Sequence, residues 1–280
     1  MSHSTWTLQD IPDQSGRVVV ITGANSGTGF ETAKVLASRG ATVVLACRNT
    51  LKAEEAARRI QITYRGSRVE TQLLDLGSLA SVREAAAAIL ARHDRLDLLI
   101  NNAGVMVPPY GKTEDGFETQ IGTNHFGPYV FTGLLMERLQ ATPGSRVVTM
   151  SSNAHRMGRI HFEDLHFERV YRAWSAYGQS KLANLLFTYE LQRHAGWISW
   201  LKALGVEALL SQDALGGALP LLRAATDPAA QGGDYFGPSG FQEMKGAPIR
   251  VQSTPLSRDA DLQQRLWRCS ELSTGFAYAV

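Results

Sequence analysis

The sequence predicts a three-layer α/β fold in a single domain, in which helices cover both faces of a doubly wound parallel β-sheet. Two observations predict it. Short apolar runs rich in β-branched residues alternate with segments of helical spacing, as strands and crossover helices do in such folds. In addition, no repeat, low-complexity tract or long linker divides the 280 residues, so one domain over 1–280 is the simplest organisation.

Five apolar runs predict the first strands, at 17–22, 41–46, 68–74, 96–100 and 145–150. Helical spacing between them predicts helices that end before Gly40 and that cover 79–90, where Ser78 is a candidate N-cap. A longer helix is expected at about 115–139. Towards the end of the chain we expect a helix at 211–226, a short strand at 234–236 and a helix at 259–272.

Composition excludes several classes of protein. A hydrophobic content of 44% and a charged content of 19% are ordinary for a globular protein, and a net charge of +2 without a basic block argues against nucleic-acid binding. No apolar run reaches the ~18 residues of a membrane span, and the polar start lacks a signal-peptide core, so a cytoplasmic location is expected. Cys47 and Cys269 form no metal or disulfide pattern and are expected to be packing residues.

A glycine-rich turn, TGANSGTG at 22–29, separates the first strand from the first helix. Such a turn brings bare backbone N–H groups and the positive end of a helix up to a pyrophosphate, which predicts a Rossmann-type dinucleotide site. The alternative is a tight turn that binds nothing. At the end of the second strand, Arg48 favours the 2′-phosphate of NADP over NAD, although it could equally be a solvated arginine. Asp75, after the third strand, is either an acceptor for the adenine amino group or a turn residue.

Four motifs together resemble the short-chain dehydrogenase/reductase family: TGANSGTG, NNAG at 101–104, the serines that end the fifth strand, and YGQSK at 177–181. The stretch from these serines to the last motif is similar to the retinol-dehydrogenase-like branch. The resemblance covers 17 to about 193. It implies an enzyme that transfers a hydride between a nicotinamide cofactor and a carbonyl or alcohol of a small, apolar molecule, with a cofactor half at about 15–150 and a catalytic half at about 151–280.

The resemblance also implies the catalytic roles. Tyr177 would be the acid/base, and Lys181, one helical turn away, would lower its pKa and hold the nicotinamide ribose. Ser152, in preference to Ser151, would bind the substrate oxygen. Pro128 leaves the Asn124 carbonyl without a helical partner, which is either a simple kink or the family's site for a relay water.

The remaining cofactor-binding residues follow the same motifs, and Asn101 is expected to tie neighbouring strands. The predicted cofactor site comprises Gly23, Asn25, Ser26, Gly27, Thr28, Gly29, Arg48, Asn49, Asp75, Leu76, Asn102, Ala103, Gly104, Tyr177 and Lys181. NADP is the expected cofactor, with NAD possible. The family needs no metal, and HFEDLHFE at 161–168 matches no common ligand spacing, so it is expected to be a loop at the rim of the pocket.

Beyond Arg193 the sequence departs from the family. The segment WISWLKALGVEALL at 197–210 has helical spacing, and neither a sixth strand nor a Pro-Gly pair follows the long helix. Either a buried strand is truly deleted, or the sequence omits a mobile segment near Arg193 to Trp197; the second is favoured, because deletion would be badly destabilising.

Two alternative functions remain open from the sequence: a non-catalytic dinucleotide-binding protein, and a nucleotide-sugar dehydratase or epimerase. A homo-oligomer is a further expectation from the family.

Overall fold

The computed structural model describes residues 5–194, 201–207, 213–240 and 245–279, and a central sheet dominates it. Eight strands pair in the order β3-β2-β1-β4-β5-β6-β7-β8. The first seven are parallel and β8 is antiparallel to β7. The strands are β1 Val18–Thr22, β2 Thr42–Cys47, β3 Arg68–Leu73, β4 Leu98–Asn101, β5 Arg146–Ser151, β6 Lys202–Glu207, β7 Tyr235–Pro238 and β8 Pro248–Arg250.

Helices cover both faces of this sheet, which confirms the predicted Rossmann-type class. One apolar core joins the sheet to α3, α5, α6 and α8, and the other joins it to α1, α2 and α7. The central strands β1, β4 and β5 are buried along their whole length, as a sheet covered on both faces requires. The helices are α1 Gly27–Ser38, α2 Thr50–Thr63, α3 Leu79–Arg92, α4 Thr119–Ile121, α5 Gly127–Gln140, α6 Ala173–His194, α7 Ala214–Thr226 and α8 Ala260–Thr274.

The helix expected at 115–139 is interrupted. It begins only at Thr119, because Gly116 has a left-handed backbone (φ +83°) and the Glu118 carboxylate caps the first turn. Between α4 and α5, Gly122–Phe126 forms a π-helical turn, in which the Gly127 N–H donates to the Gly122 carbonyl. A wide turn of this kind is frequent at functional sites, and this one carries Asn124.

The prediction that no sixth strand follows α6 is wrong. β6 lies between β5 and β7, and Ala203, Leu204 and Val206 are fully buried in it. A short apolar run has the same hydrophobic pattern in a buried helix and in a buried strand. Here the segment is a strand because it pairs with a neighbouring strand on each edge. The question of an omitted segment near Arg193 to Trp197 falls largely on residues outside those described.

Beyond residue 213 the chain agrees with prediction except at one strand. α7, β7 and α8 occur where expected, whereas β8 was missed because it is short and half exposed. After α8, the rings of Phe276 and Tyr278 pack on α5 at Gly133, where a side chain would collide with them. The Tyr278 hydroxyl donates to the Tyr129 carbonyl at 2.6 Å. Within the described ranges, no helix is both long enough and apolar enough to span a bilayer.

Candidate active site

A groove runs along the carboxyl ends of the parallel strands, where such sheets bind ligands. It consists of two adjoining cavities of about 310 and 220 Å³. Ser26, Asn102, Gly104 and Val105 line both cavities, so the two form one continuous site. The first cavity lies beside the turn after β1 and the ends of β2 and β3, and the second reaches α6. Sequence-distant motifs are therefore brought together at one edge.

The turn after β1 has the geometry of a phosphate cradle. Gly23 has φ +67°, and a Cβ at that position would lie 2.9 Å from the Cβ of Ala103, so only glycine fits between the two loops. Ser26 begins α1 without a side-chain capping bond, which leaves the first-turn N–H groups without a partner from that side chain. Thr28 and Gly29 of this turn line the second cavity. The residues present fit the pyrophosphate of a dinucleotide.

The other end of the groove lies at the ends of β2 and β3. Arg48 is exposed and lines the 310 Å³ cavity together with Asp75 and Leu76. The Asp75 carboxylate accepts from the Gly77 N–H at 2.8 Å, so it serves as a turn residue and still faces the cavity. Asn49 accepts from the Lys52 N–H at 2.9 Å and is occupied as the N-cap of α2. This end therefore places the exposed Arg48 guanidinium and the Asp75 carboxylate on the same cavity.

The NNAG turn after β4 forms the wall between the two cavities. The Asn102 side chain donates to the Thr22 carbonyl at 2.8 Å and so ties β4 to β1. We expected Asn101 to make such a tie, but its side chain instead donates to Thr132 of α5 at 2.9 Å. The two adjacent asparagines cannot be distinguished from the sequence alone, because which side chain points along the sheet depends on where β4 ends.

Ser151 and Tyr177 line the second cavity, and the Tyr177 phenol is hydrogen-bonded to the side chain of the neighbouring Ser152. The pKa of Tyr177 is raised above its ordinary value. Burial is the larger cause and raises it, whereas the hydrogen bond with the Ser152 side chain has a smaller, lowering effect. The Ser151 hydroxyl instead donates to the Lys181 carbonyl at 2.8 Å. Ser152 is therefore the serine hydrogen-bonded to the phenol, and its role in binding the substrate oxygen stays a prediction.

Lys181 lies at the back of the same cavity. Its ammonium is 5.6 Å from the centre of the Tyr177 ring and 3.4 Å from the Met150 carbonyl. Burial lowers the pKa of Lys181 to about 8. Burial is the largest influence on the phenol and raises the pKa of Tyr177, and the expected lowering of that pKa by Lys181 stays a prediction.

Three hydrogen bonds hold the Asn124 side chain in place. The amide oxygen accepts from the Val105 N–H at 2.7 Å, and the amide nitrogen donates to the Val105 carbonyl and the Ser180 hydroxyl, both at 2.9 Å. A Cβ at Gly104 would lie 3.0 Å from this amide oxygen and 3.4 Å from the Lys181 ammonium. The absence of a side chain at Gly104 therefore lets Asn124 and Lys181 approach the groove together.

Several residues that line the groove were missed from the sequence. They belong to no recognisable motif, and they reach the site because neighbouring elements pack against each other. Val105 and Met106 could have been suspected, because they directly follow NNAG. These residues include Ala46, Cys47, Leu74, Val105, Met106, Thr123 and Met150.

The HFEDLHFE segment holds no clustered ligands. His166 accepts from the Glu118 N–H at 3.2 Å and stacks on Phe117, while the His161 ring contacts Phe167. Over the part of the chain that the structure describes, no three His, Cys, Asp or Glu side chains are grouped to hold a metal ion. These histidines pack and orient the loops beside α4.

Comparison with known proteins identifies the family to which these features belong. The model of the family described as short chain dehydrogenase matches residues 17–196. Retinol dehydrogenase 11 from Homo sapiens is 53% identical over 178 residues, which are 64% of this chain and 56% of that protein. Retinol dehydrogenase 14 from Mus musculus is 37% identical over 297 residues and covers 93% of this chain and 86% of its own length.

Among solved structures, the crystal structure of an uncharacterised protein from Mycobacterium paratuberculosis is 44% identical. It has a TM-score of 0.90 and covers 99% of this chain and 100% of its own. The match to the human relative spans little more than half of that protein, and the family match ends at residue 196. The family match contains all the residues that line the groove, whereas the mouse relative and the solved structure match nearly the whole chain.

Proposed function

The chain belongs to the short-chain dehydrogenase family and is similar to its retinol dehydrogenases, and on that premise we propose a specific activity. It is an oxidoreductase that transfers a hydride between NADP(H) and the carbonyl or alcohol carbon of an apolar small molecule. One observation carries the proposal: a single continuous groove has Arg48 at one end and Tyr177 with Lys181 at the other.

The binding roles follow from this geometry. The glycine turn and the start of α1 bind the pyrophosphate through backbone N–H groups. Arg48 pairs with the adenosine 2′-phosphate, and the buried Lys181 ammonium, which lies 3.4 Å from the Met150 carbonyl, binds the nicotinamide ribose. When bound, the nicotinamide supplies or accepts the hydride.

The proton chemistry belongs to Tyr177. In reduction its hydroxyl donates a proton to the substrate oxygen, and in oxidation the phenolate accepts one. Ser152 donates a hydrogen bond to the same oxygen and stabilises the charge that develops on it. Asn124, through its main-chain carbonyl, holds a water that connects Lys181 to solvent.

An apolar substrate is supported by the side chains near Tyr177. The Trp174 ring stands edge-on to the Tyr177 ring at 6.0 Å and is 53% exposed, and Met106 lines the cavity and is 40% exposed. Because the relatives are named retinol dehydrogenases, retinol and retinal are the first substrates to test. The cytoplasmic location and a homo-oligomeric state stay predictions.

Thermal stabilisation by NADP⁺ and by NAD⁺ tests the cofactor proposal. A ligand that binds only the folded state raises stability by RT ln(1 + [L]/Kd), which is ~2.7 kcal/mol at a hundredfold excess over Kd. We expect a larger shift in Tm with NADP⁺, and a reversed preference in Arg48→Asp. Arg83→Asp, the same charge change on the exposed face of α3, should leave the preference unaltered. If neither nucleotide raises Tm, the proposed function is rejected.

A further inference from the structure

We propose that His155 is a positioning residue: it ties the main chain of Ser152 to Thr254 and thereby holds the Ser152 hydroxyl against Tyr177. The inference rests on the roles proposed above for Ser152 and Tyr177. His155 does not line the groove and was not among the residues that the sequence singled out. His155 acts through Ser152. His155 lies in the 3-10 turn Asn153–Met157, and Ser152 immediately precedes that turn.

The two ring nitrogens of His155 have different partners, and these fix its state. Nδ1 lies 2.7 Å from the Ser152 carbonyl oxygen, which can only accept, so Nδ1 carries the proton and donates it. Nε2 accepts from the Thr254 N–H at 3.3 Å, so it carries no proton. The ring is therefore neutral, has one defined tautomer, and is 1% exposed. A buried bridge of this kind holds both of its ends.

The Thr254 end of the bridge is itself fastened to α6. The neighbouring Ser253 hydroxyl is 2.7 Å from the Tyr189 hydroxyl and accepts from the Ser257 hydroxyl at 2.8 Å. Tyr189 lies on the helix that carries Tyr177. Ser152 is thus linked through His155 and the segment around Ser253 to the same helix as the phenol that it faces.

The opposite side of the turn rests directly on α6. At Gly158, just after the turn, a Cβ would collide with the carbonyl oxygen of Gly178, and a Cβ at Gly178 would lie 3.0 Å from the Ala154 carbonyl. Gly178 follows Tyr177 in the sequence. Backbone contact therefore prevents the turn from approaching the helix more closely, and the His155 bridge prevents it from moving away. Together they set the distance between Ser152 and Tyr177.

The bridge can be broken from either end. His155→Asn keeps a donor near the position of Nδ1 but has no acceptor that reaches Thr254. Thr254→Pro removes the N–H that His155 accepts from, and Thr254 has φ −62°, which proline adopts without strain. In both variants we expect kcat to fall about ten- to hundredfold, with KM and the affinity for NADP⁺ little changed. The pH profile of alcohol oxidation should move to higher pH, as in Ser152→Ala, because Tyr177 loses the hydrogen bond that lowers its pKa.

His93→Asn is the matched control, since His93 lies at the end of α3 beside Glu70, and it should leave kcat and the pH profile unchanged.

Ser152→Ala combined with Thr254→Pro should lose no more activity than Ser152→Ala alone. Additive losses, or a lower Tm with kcat and the pH profile intact, would overturn the inference and leave His155 a purely structural role. If His155→Asn does not fold, Thr254→Pro decides alone. Full activity in Tyr177→Phe would reject the proposed function instead, which separates the two failures.

Discussion

Replacing Lys181 by methionine should make the protein more stable while abolishing its activity. Methionine keeps the length and most of the apolar volume of the lysine side chain but removes a charge that is 96% shielded from solvent, since Lys181 is only 4% exposed. The Met150 carbonyl that Lys181 approaches keeps another donor, because the Asn184 amide donates to it at 2.8 Å. No buried acceptor is therefore orphaned by the change.

The magnitude follows from the pKa of Lys181. Burial lowers it from 10.5 to about 8, which corresponds to roughly 3 kcal/mol of destabilisation when the group is charged. Because the folded-state pKa is below the unfolded one, the unfolded state binds more protons between these values, and this contribution makes stability rise with pH there. The cost is complete below pH 8 and disappears as pH approaches 10.5.

Chemical denaturation at pH 7 and at pH 9.5, without cofactor, measures the effect. At pH 7 we expect Lys181→Met to have the higher free energy of unfolding, by up to roughly 3 kcal/mol, and a Tm higher by about 5 °C or more. At pH 9.5 the advantage should shrink. Lys52→Met, at an exposed position on α2, should show neither change. A Lys181→Met protein less stable than the wild type at pH 7 would refute the reasoning.

Three further outcomes are expected. Tyr177→Phe should lower kcat by about 10²- to 10⁴-fold and retain the thermal shift with NADP⁺; undiminished turnover in steady-state assays would contradict the acid/base role. Asn124→Ala should lower the free energy of unfolding by ~1–3 kcal/mol in urea titrations, because it leaves the Val105 backbone unpaired and removes the donor to the Ser180 hydroxyl; no loss would show that these bonds contribute little. Gly133→Ala should displace the ring of Phe276 and speed proteolysis of the C-terminal tail, which mass spectrometry would locate; an unchanged cleavage rate would contradict the packing argument.

Much of the fold could be predicted because its signals are local. The apolar, β-branched runs at β1, β2, β4 and β5 alternate with helical segments, which predicts a covered sheet, and Ser78 caps α3 as its position implied, with the Ser81 N–H as donor. The family motifs likewise brought Tyr177, Lys181 and the glycine turn to one groove. The catalytic roles of these residues stay predictions.

The failures concern properties that depend on distant partners. Leu201, Leu204 and the residues around them satisfy helical spacing, and only pairing with β5 and β7 makes Lys202–Glu207 a strand. Asn102, and not Asn101, makes the hydrogen bond that joins β4 to β1, because the position at which a strand ends determines which side chain points along the sheet. The pKa of Tyr177 is raised because surrounding elements bury it, and this burial outweighs the hydrogen bond with Ser152.

The strand order has a consequence for how the chain is made. Each strand pairs with one that was synthesised before it: β2 on β1, β3 on β2, then β4 on β1 and each of β5 to β8 on its predecessor. The sheet can therefore grow outward from β1 in the order of translation, and no strand has to wait for a partner still inside the ribosome. The phosphate turn and the NNAG wall would be in place before Tyr177 is added, so a nascent chain arrested after β4 already contains the first part of the groove.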